Sequence, residues 1–262
     1  MVILEPSVLA YYAQGKEDAR LRLGEGRLEF WRTQDVLRRA LPTAPLRVLD
    51  VGGGSGVHAE WLAADGHEVE VLDPVRLHVE QATRIEGVSA RIGDARELPY
   101  EDGAWDVVLL LGPLYHLPER ADRIRALSEA KRVARPGALV AAAQISRYAW
   151  LHDFLNLGRY FEPGVPELIA EVLRTGHLPA DGPFFTDAYF HDPVEIADEF
   201  TEVGLRDAVP HGLEGAAWLM GDMETYLDDP GRRRRVLGAL RAVETAPSVL
   251  GVSGHILTTG HA

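Results

Sequence analysis

The sequence predicts an α/β fold, a doubly wound sheet in which parallel strands alternate with helices. Short apolar runs of the length of buried strands recur between helical stretches, as at 47–51, 69–72 and 105–111. A cluster of glycines follows the first of these runs, where a strand would turn into a helix. Strands and helices that alternate in this way form a parallel sheet through right-handed crossovers.

The elements can be placed in order along the chain. We expect strands at 47–51, 69–72, 90–92, 105–111, 138–145, 205–210 and 249–260, and helices at 28–41, 58–64, 76–84, 118–134, 193–203 and 223–243, the last as one helix or two. Seven strands suit a seven-stranded sheet that is mostly parallel, with an antiparallel last strand. The whole chain, 1–262, is then a single domain.

Two segments do not fit the alternation of strands and helices. Residues 147–192 contain many aromatic residues with several glycines and prolines, and they are too many for a simple connection. We expect this segment to be a helical insertion that caps the substrate. Residues 1–42 are predicted to form an N-terminal helical lid.

Composition limits the classes of function. The 262 residues include 27 Lys and Arg against 40 Asp and Glu, a formal charge of −13, which disfavours a nucleic-acid partner. The chain has no cysteine, which excludes disulfides, thiolate nucleophiles and cysteine-ligated metals. We find no signal peptide and no apolar run long enough to span a membrane. The expectation is a cytoplasmic protein without a membrane partner.

The most informative segment is the glycine-rich turn after the first strand, where Asp50 precedes Gly52, Gly53, Gly54 and Gly56. Glycines at a strand-to-helix turn let the backbone approach a ligand and present free N–H groups to it. A tight turn without a ligand is the alternative. A dinucleotide fingerprint has the spacing G-x-G-x-x-G or A. Counted from Gly52, its last position is occupied by Val57, which breaks the pattern. Counted from Gly54, the pattern fits but begins late after the strand.

The charge of Asp50 distinguishes an anionic ligand of the turn from a cationic one. A carboxylate directly before the turn would repel the pyrophosphate of a dinucleotide, but it would suit an ammonium or sulfonium cation. An NAD-dependent oxidoreductase is therefore the less favoured alternative.

The pattern D-x-G-x-G-x-G from Asp50 to Gly56 resembles the first motif of class I S-adenosylmethionine-dependent methyltransferases, which have a Rossmann-like fold. The resemblance continues in VEVLDPV at 69–75, in GDA at 93–95 followed by LPY at 98–100, and in WDVV at 105–108. It covers about residues 45–146 and is closest to the ubiquinone and menaquinone biosynthesis methyltransferases. It implies S-adenosylmethionine as the cofactor and S-adenosylhomocysteine as the product.

The resemblance also implies roles for individual residues. Asp73 would accept hydrogen bonds from both ribose hydroxyls, Asp94 would face the adenine amino group, and Ala95 would contribute a backbone N–H. Asp73 could also cap the following helix, with Pro74 as the first helical residue. The implied cofactor residues are Asp50, Gly52, Gly53, Gly54, Gly56, Asp73, Pro74, Asp94, Ala95 and Leu111, with Tyr12 and Arg20 from the N-terminal segment.

The loop after the fourth strand, LGPLYHL at 111–117, is expected to border the transferred methyl group, since ligands of open α/β sheets bind beyond the carboxyl ends of strands. His116 is a candidate general base, or a histidine that shapes the loop. Tyr115 is either a wall of the cofactor site or part of the core.

The acceptor half of the site contains no sequence motif that identifies the acceptor. The aromatic residues of 147–192 either line an apolar pocket or pack the insertion onto the sheet. The adjacent pairs His152–Asp153 and His191–Asp192 do not have metal-ligand spacing, so no metal site is predicted. Four arginines at 232–235 point in different directions on a helix and are taken as a solvated face.

The function favoured by the sequence is methyl transfer from S-adenosylmethionine to an O, N or C atom of a small molecule, with secondary metabolism as one setting. A rearrangement or cyclisation that uses the same cofactor is an alternative. A non-catalytic binding protein on the methyltransferase fold is another. The sequence leaves a monomer and a homodimer equally open.

Overall fold

The structure, a computed structural model, describes residues 21–24, 26–43, 45–180 and 185–262. The strands are β1 Arg47–Val51, β2 Glu68–Asp73, β3 Val88–Ile92, β4 Trp105–Leu110, β5 Ala134–Ile145, β6 His177–Leu178, β7 Ala188–Tyr189, β8 Arg206–Gly212 and β9 His255–His261. The α-helices are α1 Gly26–Ala40, α2 Val57–Ala64, α3 Arg76–Ala82, α4 Arg120–Val133, α5 Ala149–Asn156, α6 Val165–Thr175, α7 Ile196–Glu202, α8 Met223–Asp228, α9 Pro230–Arg241 and α10 Pro247–Leu250.

The central sheet has seven strands in the order β3-β2-β1-β4-β5-β9-β8. The pairs from β3 to β5 are parallel, and β9 runs antiparallel to both of its neighbours. The predicted fold class, including the antiparallel last strand, is confirmed. The strand order reverses between β1 and β4, where a doubly wound sheet opens a crevice for ligands.

Helices cover both faces of this sheet. On one face Leu49 and Val51 pack into a cluster with α4 and α7. On the other face Val48 packs into a cluster with α1 and α2. Because successive residues of β1 are buried on opposite faces, the strand has no polar alternation and stays in the middle of the sheet.

The sequence was wrong about where the last strand begins. It was expected over 249–260, but β9 starts at His255 because α10 and a turn occupy the preceding residues. Pro247 lies in the first turn of α10, where its missing N–H costs nothing, and the apolar Leu250 packs against Ile196 and Ile256 instead of joining the sheet. The helical stretch at 223–243 is two helices, and Asp229 caps the second by accepting a hydrogen bond from the Arg232 N–H at 2.7 Å.

The insertion at 147–192 is helical, as expected, with a two-stranded ribbon of β6 and β7 that was not expected. It has its own small core around Phe154, Val165 and Ile169. A second cluster joins it to the sheet and includes Phe190 and Ile145. Most described aromatic side chains of the insertion therefore pack it together and onto the domain.

No helix within the described ranges is both long and apolar enough to cross a membrane.

Candidate cofactor site

A cavity opens at the carboxyl ends of β1, β2 and β4, next to the point where the strand order reverses. Its walls come from α1, the glycine-rich turn, and the segments that follow β2, β3 and β4. The lining residues are Leu21, Glu29, Asp50, Gly52, Gly53, Gly54, Ser55, Val57, His58, Leu72, Asp73, Pro74, Val75, His78, Asp94, Ala95, Leu111, Gly112, Pro113, Tyr115, His116 and Leu117.

Nearly all of the sequence-predicted cofactor residues lie on this cavity. Gly56 is the exception among the described ones. It has φ 91° at the start of α2, and a Cβ there would come within 2.6 Å of the Ile85 side chain. Gly56 therefore serves the packing of α2 behind the cavity. Tyr12 and Arg20 lie outside the described residues.

The glycines of the turn are required by close approach. Gly52 has φ 67°, and a Cβ on it would lie 2.7 Å from Cγ of Pro113 in the loop after β4. A Cβ on Gly53 would lie 2.6 Å from Oδ2 of Asp50. Since side chains cannot occupy either space, the turn closes tightly over the Asp50 carboxylate and leaves its backbone facing the cavity.

Asp50 is the most unusual group in the site. Its side chain is fully buried, and neither carboxylate oxygen has a hydrogen-bond partner among the residues that the structure describes. Burial, and secondly the negative charge of Asp73, raise the pKa of Asp50 to about 7. An unpaired buried carboxylate is costly, and a cationic ligand group would relieve that cost.

Asp73 has the opposite environment. Its Oδ2 accepts from the Gly54 N–H at 2.9 Å, and its Oδ1 accepts from the Val75 N–H at 2.9 Å and lies 3.0 Å from Nδ1 of His78. The expected capping role is wrong in detail, because Val75 is the N-cap residue of α3 and Pro74 precedes the helix. Of the roughly four acceptor positions of a carboxylate, three are filled, which leaves one for a ligand hydroxyl.

Asp94 lies on the cavity but is held by a residue that the sequence did not single out. Both of its oxygens accept hydrogen bonds from the guanidinium of Arg96, at 3.0 Å and 2.8 Å, and Oδ1 also accepts from the Arg96 N–H at 2.8 Å. The same guanidinium donates to Asp122 at 2.6 Å. Arg96 therefore fixes the position of Asp94 on the rim, and the contact of Asp94 with adenine stays a prediction.

Tyr115 and His116 lie on a single 3-10 turn after β4, and both line the cavity. His116 Nδ1 is 3.2 Å from Oγ1 of Thr186 in the insertion. Burial lowers the pKa of His116 to about 3, although a backbone hydrogen bond partly opposes this. A neutral imidazole with such a low pKa is a weak base, and the choice between a general base and a residue that shapes the loop stays a prediction.

The described part of the insertion contacts the site only indirectly. No described residue of 147–192 lines the cavity, yet Phe185 lies beside the His116 ring with centroids 5.7 Å apart. The insertion thus buttresses the loop that carries His116 and Tyr115. Its role as an acceptor cap stays a prediction.

A further polar group lies at the same edge of the sheet, and sequence reasoning missed it. Glu29, Glu214 and His255 place possible ligand atoms within 4.8 Å of one another. The His255 Nδ1 is 2.6 Å from Oε1 of Glu214 and 3.6 Å from Oε2 of Glu29, which lines the cavity. No local signal could reveal this group, because its members come from α1, the segment that follows β8 and the start of β9.

Comparisons with known proteins agree with this geometry. Residues 49–142 match the family model of the methyltransferase domain. The methyltransferase GfsG of Streptomyces halstedii is 36% identical over 129 residues, which are 46% of this chain and 45% of that protein. A demethylmenaquinone methyltransferase of Beutenbergia cavernae is 34% identical over 154 residues, 58% of this chain and 61% of that protein. The chain thus spans about half the length of the curated relatives it matches.

The fold likeness extends further than the sequence likeness. The crystal structure of a methyltransferase of Thermotoga maritima, described as S-adenosylmethionine-dependent and as a possible histamine N-methyltransferase, covers 96% of this chain and 97% of its own. Its TM-score is 0.59 at 17% identity, so the likeness concerns the fold. Together with the domain match, these relatives confirm the resemblance to class I methyltransferases that the sequence motifs indicated.

Proposed function

We propose, on the premise that residues 49–142 form a methyltransferase domain, that this chain transfers a methyl group from S-adenosylmethionine to an O, N or C atom of a small molecule. The observation that carries the proposal is Asp50. A buried carboxylate that has no hydrogen-bond partner in the described part of the chain, enclosed by a glycine-rich turn, suits a ligand with an ammonium and a sulfonium charge and opposes a pyrophosphate.

The cavity offers a position for each part of such a cofactor. Asp50 and the backbone of Gly52 and Gly54 would hold the aminoacyl end. Asp73 would accept from a ribose hydroxyl, while Asp94 and Ala95 would border the adenine. These assignments rest on the lining of the cavity and on the hydrogen bonds that hold each side chain in place.

A bound sulfonium cofactor supplies an already activated methyl group. The residues of this chain then have to position the acceptor and exclude water. Leu111, Tyr115 and the neutral His116 would form the wall on the methyl side. The acceptor would lie beyond the ends of β4 and β5, toward Glu29 and His255, with 147–192 as its cap. The similarity to a demethylmenaquinone methyltransferase supports a small acceptor of this kind.

Isothermal titration calorimetry of the full chain with S-adenosylmethionine, S-adenosylhomocysteine and NADH tests the cofactor assignment. We expect binding of the first two and none of NADH. No heat of binding at millimolar S-adenosylmethionine would overturn the proposal, and binding of NADH alone would support the oxidoreductase alternative.

The type of reaction needs a separate measurement. Methyl transfer converts the cofactor to S-adenosylhomocysteine, whereas a rearrangement or cyclisation on the same fold leaves it unchanged. We expect stoichiometric S-adenosylhomocysteine when the protein is incubated with S-adenosylmethionine and a panel of phenolic, quinol and amine acceptors. Acceptor conversion without S-adenosylhomocysteine would contradict methyl transfer.

A further inference from the structure

His78 contacts the ribose-side carboxylate from within the cavity wall. It lies on α3, five residues after Asp73, and both residues are buried, with His78 3% and Asp73 4% exposed. Nδ1 of His78 is 3.0 Å from Oδ1 of Asp73. Both residues line the cavity, and a Cβ on Gly54 would lie 4.0 Å from the same nitrogen.

The direction of this hydrogen bond follows from chemistry. An ionised carboxylate only accepts hydrogen bonds, so the proton between the two groups belongs to Nδ1 of His78. Oδ1 therefore receives two donors, the Val75 N–H and the imidazole, while Oδ2 receives only the Gly54 N–H. The open acceptor position of Asp73 is on Oδ2.

Charge gives a second reason why this contact matters. Asp50 and Asp73 end the neighbouring strands β1 and β2 and face the same cavity. Among the described residues Asp50 has no hydrogen-bond partner, whereas Asp73 accepts from two backbone N–H groups and contacts Nδ1 of His78. Within the same part of the chain, His78 is the side chain that the structure shows hydrogen-bonded to Asp73.

We propose that His78 is a positioning residue for the cofactor ribose: its Nδ1–H holds the Asp73 carboxylate in the orientation in which Oδ2 accepts a ribose hydroxyl. This inference rests on the proposed function, since it assumes a ribose-containing ligand in the cavity. It assigns to the chain a two-residue ribose site, Asp73 with His78 behind it.

A double-mutant cycle measured by calorimetric titration with S-adenosylhomocysteine tests the proposal. We expect His78→Leu to weaken binding about tenfold, as for loss of a hydrogen bond to a charged group. Asp73→Ala should weaken it by at least as much. Because His78 acts through Asp73, the double variant should bind no more weakly than Asp73→Ala alone.

Conservative variants guard against loss of the fold. His78→Asn places an amide N–H₂ near the position of Nδ1 and should restore binding to within about threefold of the wild type, whereas His78→Gln places its donor farther out and should not. His261→Leu, at the opposite edge of the sheet, is the control and should bind like the wild type.

The outcomes separate the two proposals. A wild type that does not bind S-adenosylhomocysteine overturns the proposed function and the ribose site with it. A wild type that binds, with His78→Leu and Asp73→Ala effects that add in the double variant, overturns only the role of His78. A His78→Asn protein as weak as His78→Leu would do the same.

Discussion

The two halves of the carboxyl edge are built in different ways. On the side of β1, β2 and β4, several polar contacts join residues that are close in sequence: Asp94 to Arg96, Asp73 to His78, and Gly54 to Asp73, 19 positions apart. The contact of His116 with Thr186, 70 positions apart, is an exception on this side. On the side of β5, β9 and β8, polar contacts join distant segments, as between Glu214 and His255 or between Arg32 and Glu244, 212 positions apart. Contacts within a short stretch of sequence can be encoded by a motif. The contacts of the second half form only when distant segments come together in the fold.

The two halves also differ in how tightly side chains fill them. On the cofactor side, backbone groups and carboxylates face the cavity, and the space beside them must stay free of side chains, as at Gly52 and Gly53. The insertion on the other side is held by ordinary apolar packing of Phe154, Val165 and Ile169. Changes in the insertion core should therefore alter stability, whereas changes in the turn should alter ligand binding.

The largest effect is expected from Phe154→Ala. Phe154 is 3% exposed and stacks on Trp150 with ring centroids 5.1 Å apart, so its truncation should cost about 3–5 kcal/mol of unfolding free energy. Phe161→Ala, in the same insertion but 80% exposed, should change it by less than about 0.5 kcal/mol. Urea unfolding of both variants checks this.

Binding by the same two proteins sharpens the comparison. Neither side chain lines the cavity, so both variants should bind S-adenosylhomocysteine like the wild type at temperatures where they are folded. A tenfold loss of affinity in folded Phe154→Ala would show that the insertion and the cofactor side are one coupled unit.

The second prediction concerns the turn. Gly52→Ala combines a positive φ with a Cβ that would meet Pro113, and it should weaken S-adenosylhomocysteine binding at least about a hundredfold because the turn must move. Gly137→Ala is the matched control, since Gly137 also has a positive φ, 81°, but nothing lies within 4 Å of its Cβ position. It should lose about 1 kcal/mol of stability and keep wild-type affinity.

Calorimetric titration and urea unfolding of both glycine variants separate strain from contact. Equal losses of affinity would mean that backbone strain alone, transmitted through the fold, governs the site. The prediction is that only the variant whose Cβ meets Pro113 loses the ligand.

The same division explains how far sequence reasoning reached. The seven strands follow from the apolar periodicity of the chain, and the placement of Asp50, Asp73, Asp94 and Leu111 on one cavity agrees with what the motif resemblance implied. The strand order itself is seen only in the structure. Arg96 was missed although it is only two residues from Asp94, because its role depends on a side-chain conformation. Glu214 and His255 could not have been paired, since nothing in a single sequence shows that β8 and β9 become neighbours.

Where the sequence failed locally, a competing interaction decided the outcome. Residues 249–254 have the apolar pattern of a strand, but Leu250 is buried against Ile196, and the Ser253 hydroxyl instead donates to Glu214 at 2.8 Å. Gly56 does not line the cavity, and its lack of a Cβ leaves room for the Ile85 side chain, so its contact with the cofactor stays a prediction.

The last prediction concerns the pH dependence of S-adenosylmethionine binding, which reports whether Asp50 meets a cation. With a pKa raised to about 7, chiefly by burial, Asp50 is protonated in the free protein below that pH. A bound cation favours the ionised form, so binding of S-adenosylmethionine must release the proton. The affinity should rise up to about tenfold per pH unit from pH 5.5 toward 7 and level off above it, while the ligand α-amino group, with an ordinary pKa of about 7.7–8.0, stays charged.

Asp50→Asn removes the titrating group and retains its shape, so its affinity should be lower and nearly independent of pH between 5.5 and 7. Calorimetry in two buffers of different ionisation enthalpy counts the protons released: close to one at pH 6 for the wild type and none for the variant. A wild-type affinity as flat as that of Asp50→Asn would mean that Asp50 does not meet the positive charge. The glycine-rich turn would then serve only to connect β1 to α2. The distinction between a side that binds the ligand and a side that packs the fold would not hold at the buried Asp50.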